Sequence, residues 1–104
     1  MKSKRAKMCD ISDSVRKTVR ERDGDRCVWC GAFLQHPQLC HYISRQNGGL
    51  GIPENLVCGC VYCHMQADQG SHTRKYKQVQ EIYLKSHYPE WDKSKLKYKR
   101  KYQK

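Results

Sequence analysis

Two Cys-x-x-Cys turns, Cys27-x-x-Cys30 and Cys60-x-x-Cys63, constrain this chain more than any other feature. Each turn puts two sulfurs on one tight bend. Two such bends supply four soft donors at tetrahedral angles, the arrangement that suits Zn²⁺. The 29 residues between Cys30 and Cys60 then become a loop closed by the metal. The competing arrangements are two disulfides or free core thiols. The chain has seven cysteines, an odd number that cannot pair completely within one chain. It begins Met1-Lys2-Ser3-Lys4-Arg5 with no apolar stretch behind, so no secretory signal is visible. The expected compartment is a reducing cytoplasm, where clustered cysteines more often hold metal than each other. Cys58 is an alternative ligand in a shifted site. The paired spacing favours Cys60 and Cys63 and assigns Cys58 to a buried strand. Cys9 has no obvious partner. A zinc bound by four cysteines has no open position and does no chemistry. It contributes folding energy, on the order of 10 kcal/mol in small metallodomains.

Such a staple answers a need. The chain has 104 residues, 38% of them hydrophobic, and small domains bury a limited share of their surface. Lys and Arg number 21 against 10 Asp and Glu, a net charge of +11. That excess points to a polyanion, with nucleic acid first and an anionic membrane surface second. No apolar run approaches the roughly 18 residues of a membrane span. Residues 1–10 read as a basic, mobile N-terminal arm. Ser12, Asp13 and Ser14 offer cap oxygens, Val15 and Val19 recur at helical spacing, and Asp23-Gly24 reads as a stop. This predicts a helix over 13–22 with Arg16, Lys17, Arg20 and Arg22 mostly exposed. Strands are expected at 38–43 and at Leu56-Val57, with a Gly- and Pro-rich loop between them. A short helix is expected over 64–69. A longer one, over 72–86, is capped by Ser71, carries Tyr76, Val79, Ile82 and Tyr83 at spacings of three and four, and ends before Pro89. Residues 93–104 hold seven Lys or Arg and read as an exposed basic C-terminal tail.

Between the cysteine turns lie Leu39-Cys40-His41-Tyr42-Ile43-Ser44-Arg45, Gly48-Gly49 and Glu54-Asn55-Leu56-Val57, and His64 directly follows the second turn. This ordered set, over residues 27–68, resembles the HNH endonucleases, the ββα-metal (His-Me finger) nucleases. The basic helix before it and the Tyr-Leu-Lys-Ser-His-Tyr-Pro-x-Trp segment after it resemble short HNH proteins of tailed bacteriophages. The fold expected is therefore α+β: a zinc-stapled ββα-metal core with flanking helices, occupying 11–92. The resemblance implies a metal-dependent endonuclease hydrolysing DNA phosphodiester bonds. It further implies a phage-encoded enzyme in the bacterial cytoplasm, linked to genome packaging through terminase or portal. His41 is then the general base, Asn55 holds the His41 ring through a hydrogen bond, and His64 is a ligand of a catalytic divalent ion (Mg²⁺, Mn²⁺, Ni²⁺ or Zn²⁺). A near-neutral imidazole can deprotonate water, and one divalent ion can polarise phosphate and stabilise the leaving 3′ oxygen.

Cys40 departs from the pattern, because many HNH enzymes place an Asp or another ligand just before the base. Either it is a softer ligand, better for Zn²⁺, Ni²⁺ or Co²⁺ than for Mg²⁺, or it packs in the core. Asp68, four residues after His64, would share its helix face and restore affinity for a hard ion; a solvated carboxylate is the alternative. His72 is a weaker candidate, and His36 and His87 read as surface or packing residues. Arg45 is placed to clamp the scissile phosphate. Arg16, Arg20, Lys75, Lys77 and the tail extend the footprint on double-stranded DNA. Nothing resembles a base-reading helix, so weak sequence preference is expected. The competing function is a non-catalytic, zinc-stabilised module that binds nucleic acid or adapts one protein to another, with Cys40 marking a lost active site.

Overall fold

The computed structural model describes residues 4–98. Its centre is a two-stranded antiparallel hairpin, β1 (Gln38–His41) and β2 (Leu56–Gly59), in register Gln38 with Gly59 through His41 with Leu56. Alternation along these strands divides the core into two faces. Leu39, Leu56 and Cys58 face α2 (Asp13–Asp23), where buried Val19 meets them with Ile11 and Val15 alongside. Cys40 and Val57 face the other way, against Leu84 of α4 (Thr73–His87) and a rim that includes Trp29, Tyr42, Tyr83 and Trp91. Helix α3 (Val61–Gln69) follows β2 directly and packs on α4. This is the expected α+β architecture, a zinc-stapled ββα core with flanking helices.

The predicted first long helix forms as α2. Ser12 Oγ accepts the Val15 N–H at 3.2 Å, and Gly24 ends the helix at φ 66°, a left-handed conformation that glycine adopts without strain. Arg22, expected at the surface, is instead inside. It donates to Leu56 O at 2.6 Å and Pro53 O at 2.9 Å, and pairs with Asp23 at 2.7 Å. The buried Asp23 carboxylate also accepts the Cys58 N–H at 2.8 Å and the Tyr83 hydroxyl. One ion pair thus joins α2, β2 and α4, and charge alone does not mark such a residue as exposed when carbonyls await it.

Several boundaries differ from expectation for local reasons. The first strand stops at His41, because Asn55 Oδ1 takes the Ile43 N–H at 2.8 Å in place of a ladder partner. The short helix begins at Val61, three residues early, because the Cys60 sulfur acts as its cap and accepts the Cys63 N–H at 3.4 Å. Ser71 does not cap α4, whose first turn follows His72. Val79 and Ile82 are exposed; the buried residues of α4 are Gln80 and Leu84. Lys77 and Gln80 face the hairpin and bond its carbonyls, so the inward stripe of α4 is partly polar and hydrophobic spacing misplaces it.

Both ends of the described chain are docked. Residues 4–9, expected within a mobile arm, form helix α1 (Lys4–Cys9), with Cys9 buried and the Gly51 N–H bonded to Met8 O at 3.0 Å. Of the expected tail, residues up to 98 return to the loop at 48–50: Leu96 is buried, Leu50 N–H donates to Leu96 O at 2.8 Å, and Tyr98 N–H to Gly48 O at 2.7 Å. The rest of the tail, 99–104, and residues 1–3 lie outside the described residues. That loop is tight: a Cβ on Gly49 would fall 1.6 Å from Ile43 O. Among the described residues no helix is long and apolar enough to cross a membrane.

The Arg22–Asp23 pair yields a stability prediction. Asp23→Ala strands a buried guanidinium and should destabilise the zinc-loaded protein by about 3–5 kcal/mol in chemical denaturation. A loss under 1 kcal/mol would mean that water reaches the pair.

Candidate metal centres and active site

The four cysteines of the two turns converge. The ligand atoms of Cys27, Cys30, Cys60 and Cys63 lie within 4.8 Å of one another, and Cys30 Sγ is 3.9 Å from Cys60 Sγ. Four thiolates around one Zn²⁺ at about 2.3 Å would stand about 3.8 Å apart, so the set can hold zinc. In each turn a backbone N–H points at the first sulfur, Cys30 N to Cys27 Sγ at 3.5 Å and Cys63 N to Cys60 Sγ at 3.4 Å. Burial raises the Cys27 thiol, but N–H groups of Cys30, Cys60 and Trp29 overcome it and hold it down to about 7. Cys63 is pushed up by burial and by the thiols of Cys60 and Cys27. A divalent cation relieves that crowding. Cys58 is buried in β2, outside this cluster.

A second constellation gathers where β1 ends beside α3 and α4. His64 and Asp68, one turn apart on α3, meet at 3.1 Å between Nε2 and Oδ2. His64 Nδ1 donates to Gln38 Oε1 at 2.6 Å. With Nδ1 so engaged, Nε2 and the carboxylate are two acceptors facing each other. A second proton on the ring, or a cation shared by both, satisfies them. Two ligands of one ion at about 2.1 Å and near right angles stand about 3 Å apart, so this pair fits a divalent ion.

Lys77 stands next to the pair. Its ammonium donates to His41 O at 2.8 Å and Tyr42 O at 3.0 Å, and lies 3.9 Å from Asp68. Gln80 adds a bond to Cys40 O at 3.0 Å, and the Tyr42 hydroxyl donates to Glu81 at 2.7 Å. Three polar side chains of α4 therefore hold the end of β1 and Tyr42 just after it. Gln38 and Gln80 were absent from the sequence-derived site. The one available signal was the spacing of Lys77, Gln80, Glu81 and Leu84, a single helix stripe.

The His41 Nε2 atom is buried and makes no hydrogen bond. Burial, chiefly, lowers the ring's pKa below 6.5; the Cys9 carbonyl opposes this, and the charges of Arg45, Lys77 and His64 lower it further. Asn55 is fully buried but does not bond the imidazole. Its amide accepts from Ile43 N–H and donates to Ile43 O at 3.1 Å and Leu50 O at 2.9 Å. The expected bond from Asn55 to the His41 ring is not made; Asn55 braces the loop that follows His41, whose backbone groups are otherwise unpaired. Cys40, for which the sequence leaves a softer ligand or a core thiol open, has its sulfur in the core, where burial pushes the thiol well up.

The basic residues are scattered. Arg45 pairs with Asp10 at 2.5 Å, and Arg20 with Asp25 at 2.6 Å. Arg16 and Lys75 are exposed on different helices. His36 is exposed, His87 packs against Tyr83 with the rings tilted by 55°, and His72 precedes α4 without a capping bond.

No protein-family model matches the chain, and no curated protein matches it. Among solved structures it is similar to the type IV phosphorothioation-dependent restriction endonuclease ScoMcrA. The TM-score is 0.61, with 21% identity over 74% of this chain. The chain covers 20% of that protein's length, and the likeness is one of fold.

Zinc removal tests the staple. The purified protein should contain one zinc per chain, and chelation should abolish its cooperative thermal transition in circular dichroism. A staple worth on the order of 10 kcal/mol matches the whole stability of a small domain. An unchanged transition after chelation would refute the role.

Proposed function

We propose that the protein is a metal-dependent endonuclease that hydrolyses DNA phosphodiester bonds with His41 as general base. The observation that supports this reading is the unpartnered, buried Nε2 of His41, whose backbone carbonyl accepts from the Lys77 ammonium that lies 3.9 Å from Asp68 of the His64–Asp68 pair. Buried polar atoms without partners are rare, and a free lone pair on a neutral imidazole is what proton abstraction from water needs. Burial and the neighbouring positive charges keep that imidazole neutral. His64 and Asp68 would hold the divalent ion, which supplies charge stabilisation at the phosphate and at the departing oxygen. A donor set this small suits an ion that keeps waters, and the imidazole favours Mn²⁺, Ni²⁺ or Zn²⁺ over Mg²⁺. Fold likeness to a restriction endonuclease supports the same class of reaction. The resemblance to short phage HNH proteins extends the reading to an enzyme of the host cytoplasm working beside terminase and portal.

The second reading, a non-catalytic zinc-stabilised binding module, has its own support. Among the described residues, the cysteine set is the single group of three or more candidate ligands.

His41→Ala decides between them. On supercoiled plasmid with Mn²⁺, Ni²⁺, Zn²⁺ or Mg²⁺, wild type should nick and the variant should lose about 10²–10⁴-fold, with zinc content and DNA binding retained. A wild type that nicks under none of these ions leaves the binding module. The pH profile adds a signed check. Since the folded pKa of His41 in the free protein lies below 6.5, kcat/KM, measured at subsaturating DNA, should persist at pH 6.5 and fall only at lower pH, as the ring takes up its proton. A midpoint above 6.5 would exclude the buried, neutral base.

A further inference from the structure

A cleft of about 790 Å³ opens between the loop after β1 and the start of α4. Its walls include Tyr42, Ser44, Asp68, Lys77, Lys93 and Lys97. Three of its residues are lysines and two, Asp68 and Asp92, are carboxylates. If Asp68 ligates a divalent ion, the cleft's excess of positive charge grows, and it calls for an anion. The cleft also has direction. Lys77 stands at the inner end, beside the His64–Asp68 pair, while Lys93 and Lys97 come from the segment that docks along the loop at 48–50.

Lys77 differs from an ordinary surface lysine. Its side chain is 24% exposed and its position is fixed by the carbonyls of His41 and Tyr42. Those acceptors carry partial charges only, and the nearest carboxylate is at 3.9 Å. Of its three N–H groups, two are engaged by the carbonyls, and Asp68, at 3.9 Å, is too far to take the third in a hydrogen bond. A cation held in place before substrate arrives needs no reorganisation when charge develops on a phosphate oxygen. The same contact couples it to the backbone of the proposed base.

The geometry points to this cleft as the track for the scissile strand's backbone, with Lys77 on the scissile phosphate and Lys93 and Lys97 on neighbouring phosphates. The inference rests on the nuclease reading for the word scissile alone; phosphate binding in the cleft stands by itself. It also places the strand away from Arg45, which faces Asp10, and away from Arg16 and Arg20 on α2.

The test uses zinc-loaded full-length protein and a short DNA duplex, with affinity followed by fluorescence anisotropy against salt and no added divalent ion. Taking one lysine off a phosphate should flatten the slope of log K against log salt by about 0.9. Lys77→Met, Lys93→Met and Lys97→Met should each flatten it so. In plasmid nicking, Lys77→Met should also lower kcat by about 10²–10³-fold, the loss typical of one fixed charge-stabilising donor. Should Lys77→Met fail to fold, Lys93→Met and Lys97→Met decide through the slope, since both side chains lie at the surface. Unchanged slopes in the cleft variants, with flattening by Arg16→Met or Arg20→Met, would overturn the track. A wild type that never nicks, with slopes that flatten as expected, would remove the nuclease reading and keep the track. A nicking wild type matched in rate by Lys77→Met would remove Lys77 from the scissile phosphate.

Discussion

Convergence of four sulfurs is the constraint from which the rest of the site takes its position. The turn at Cys27 and the turn at Cys60 belong to parts of the chain separated by the whole hairpin. Joining them closes the hairpin at its base. The second turn is also the start of α3, because Cys60 caps the helix and Cys63 lies in its first turn. A metal on these sulfurs therefore sets where α3 begins and how it is rotated. His64 follows Cys63 by one residue and Asp68 follows by a further turn, so their facing is determined by the sulfurs behind them. In the proposed nuclease the structural and catalytic ions would be separate, and the first would orient the ligands of the second.

The other means of assembly is polar. With few apolar residues to bury, the molecule ties its helices to the hairpin through side chains that bond backbone groups. Arg22 and Asp23 do this for α2, Lys77 and Gln80 for α4, and Asn55 for the loop between the strands. Each contact satisfies a carbonyl or N–H that the short strands leave open. Such bonds are directional, and apolar contacts are not. A small domain built this way holds the end of β1 in one geometry without a large core, as the proposed site, with a base, a cation and two ligands in register, would require.

This division explains what could be read in advance. The cysteine spacing, the Ser12 and Gly24 helix signals, and the one-turn separation of His64 and Asp68 are local patterns, and each reappears in the structure. What was not legible depends on partners distant in sequence. Arg22 is 34 residues from Leu56, so nothing in its own helix marks it as buried. Val79 and Ile82 have the right spacing for a core stripe, but Gln80 takes the buried position because it bonds Cys40 O, 40 residues away. Asn55 could be named, but not its partners: a buried amide bonds whichever backbone groups the loop leaves unsatisfied. Cys60 as a helix cap departs from the usual oxygen caps and takes its place because the sulfur is already held in the turn.

The charges around His41 act in two directions at once. Arg45, Lys77 and His64 each make protonation of the imidazole less favourable, and together with burial they outweigh the Cys9 carbonyl that favours it. In the proposed nuclease the Lys77 part of this positive field would also draw a phosphodiester toward the strand end. A bound phosphate would partly neutralise that field and raise the ring's affinity for a proton at the moment when a water must be deprotonated. On that reading His41 would be a poor proton acceptor before substrate binds and a better one once substrate is in place. That coupling would need no moving part; it would follow from an imidazole and a phosphate sharing the fixed ammonium of Lys77.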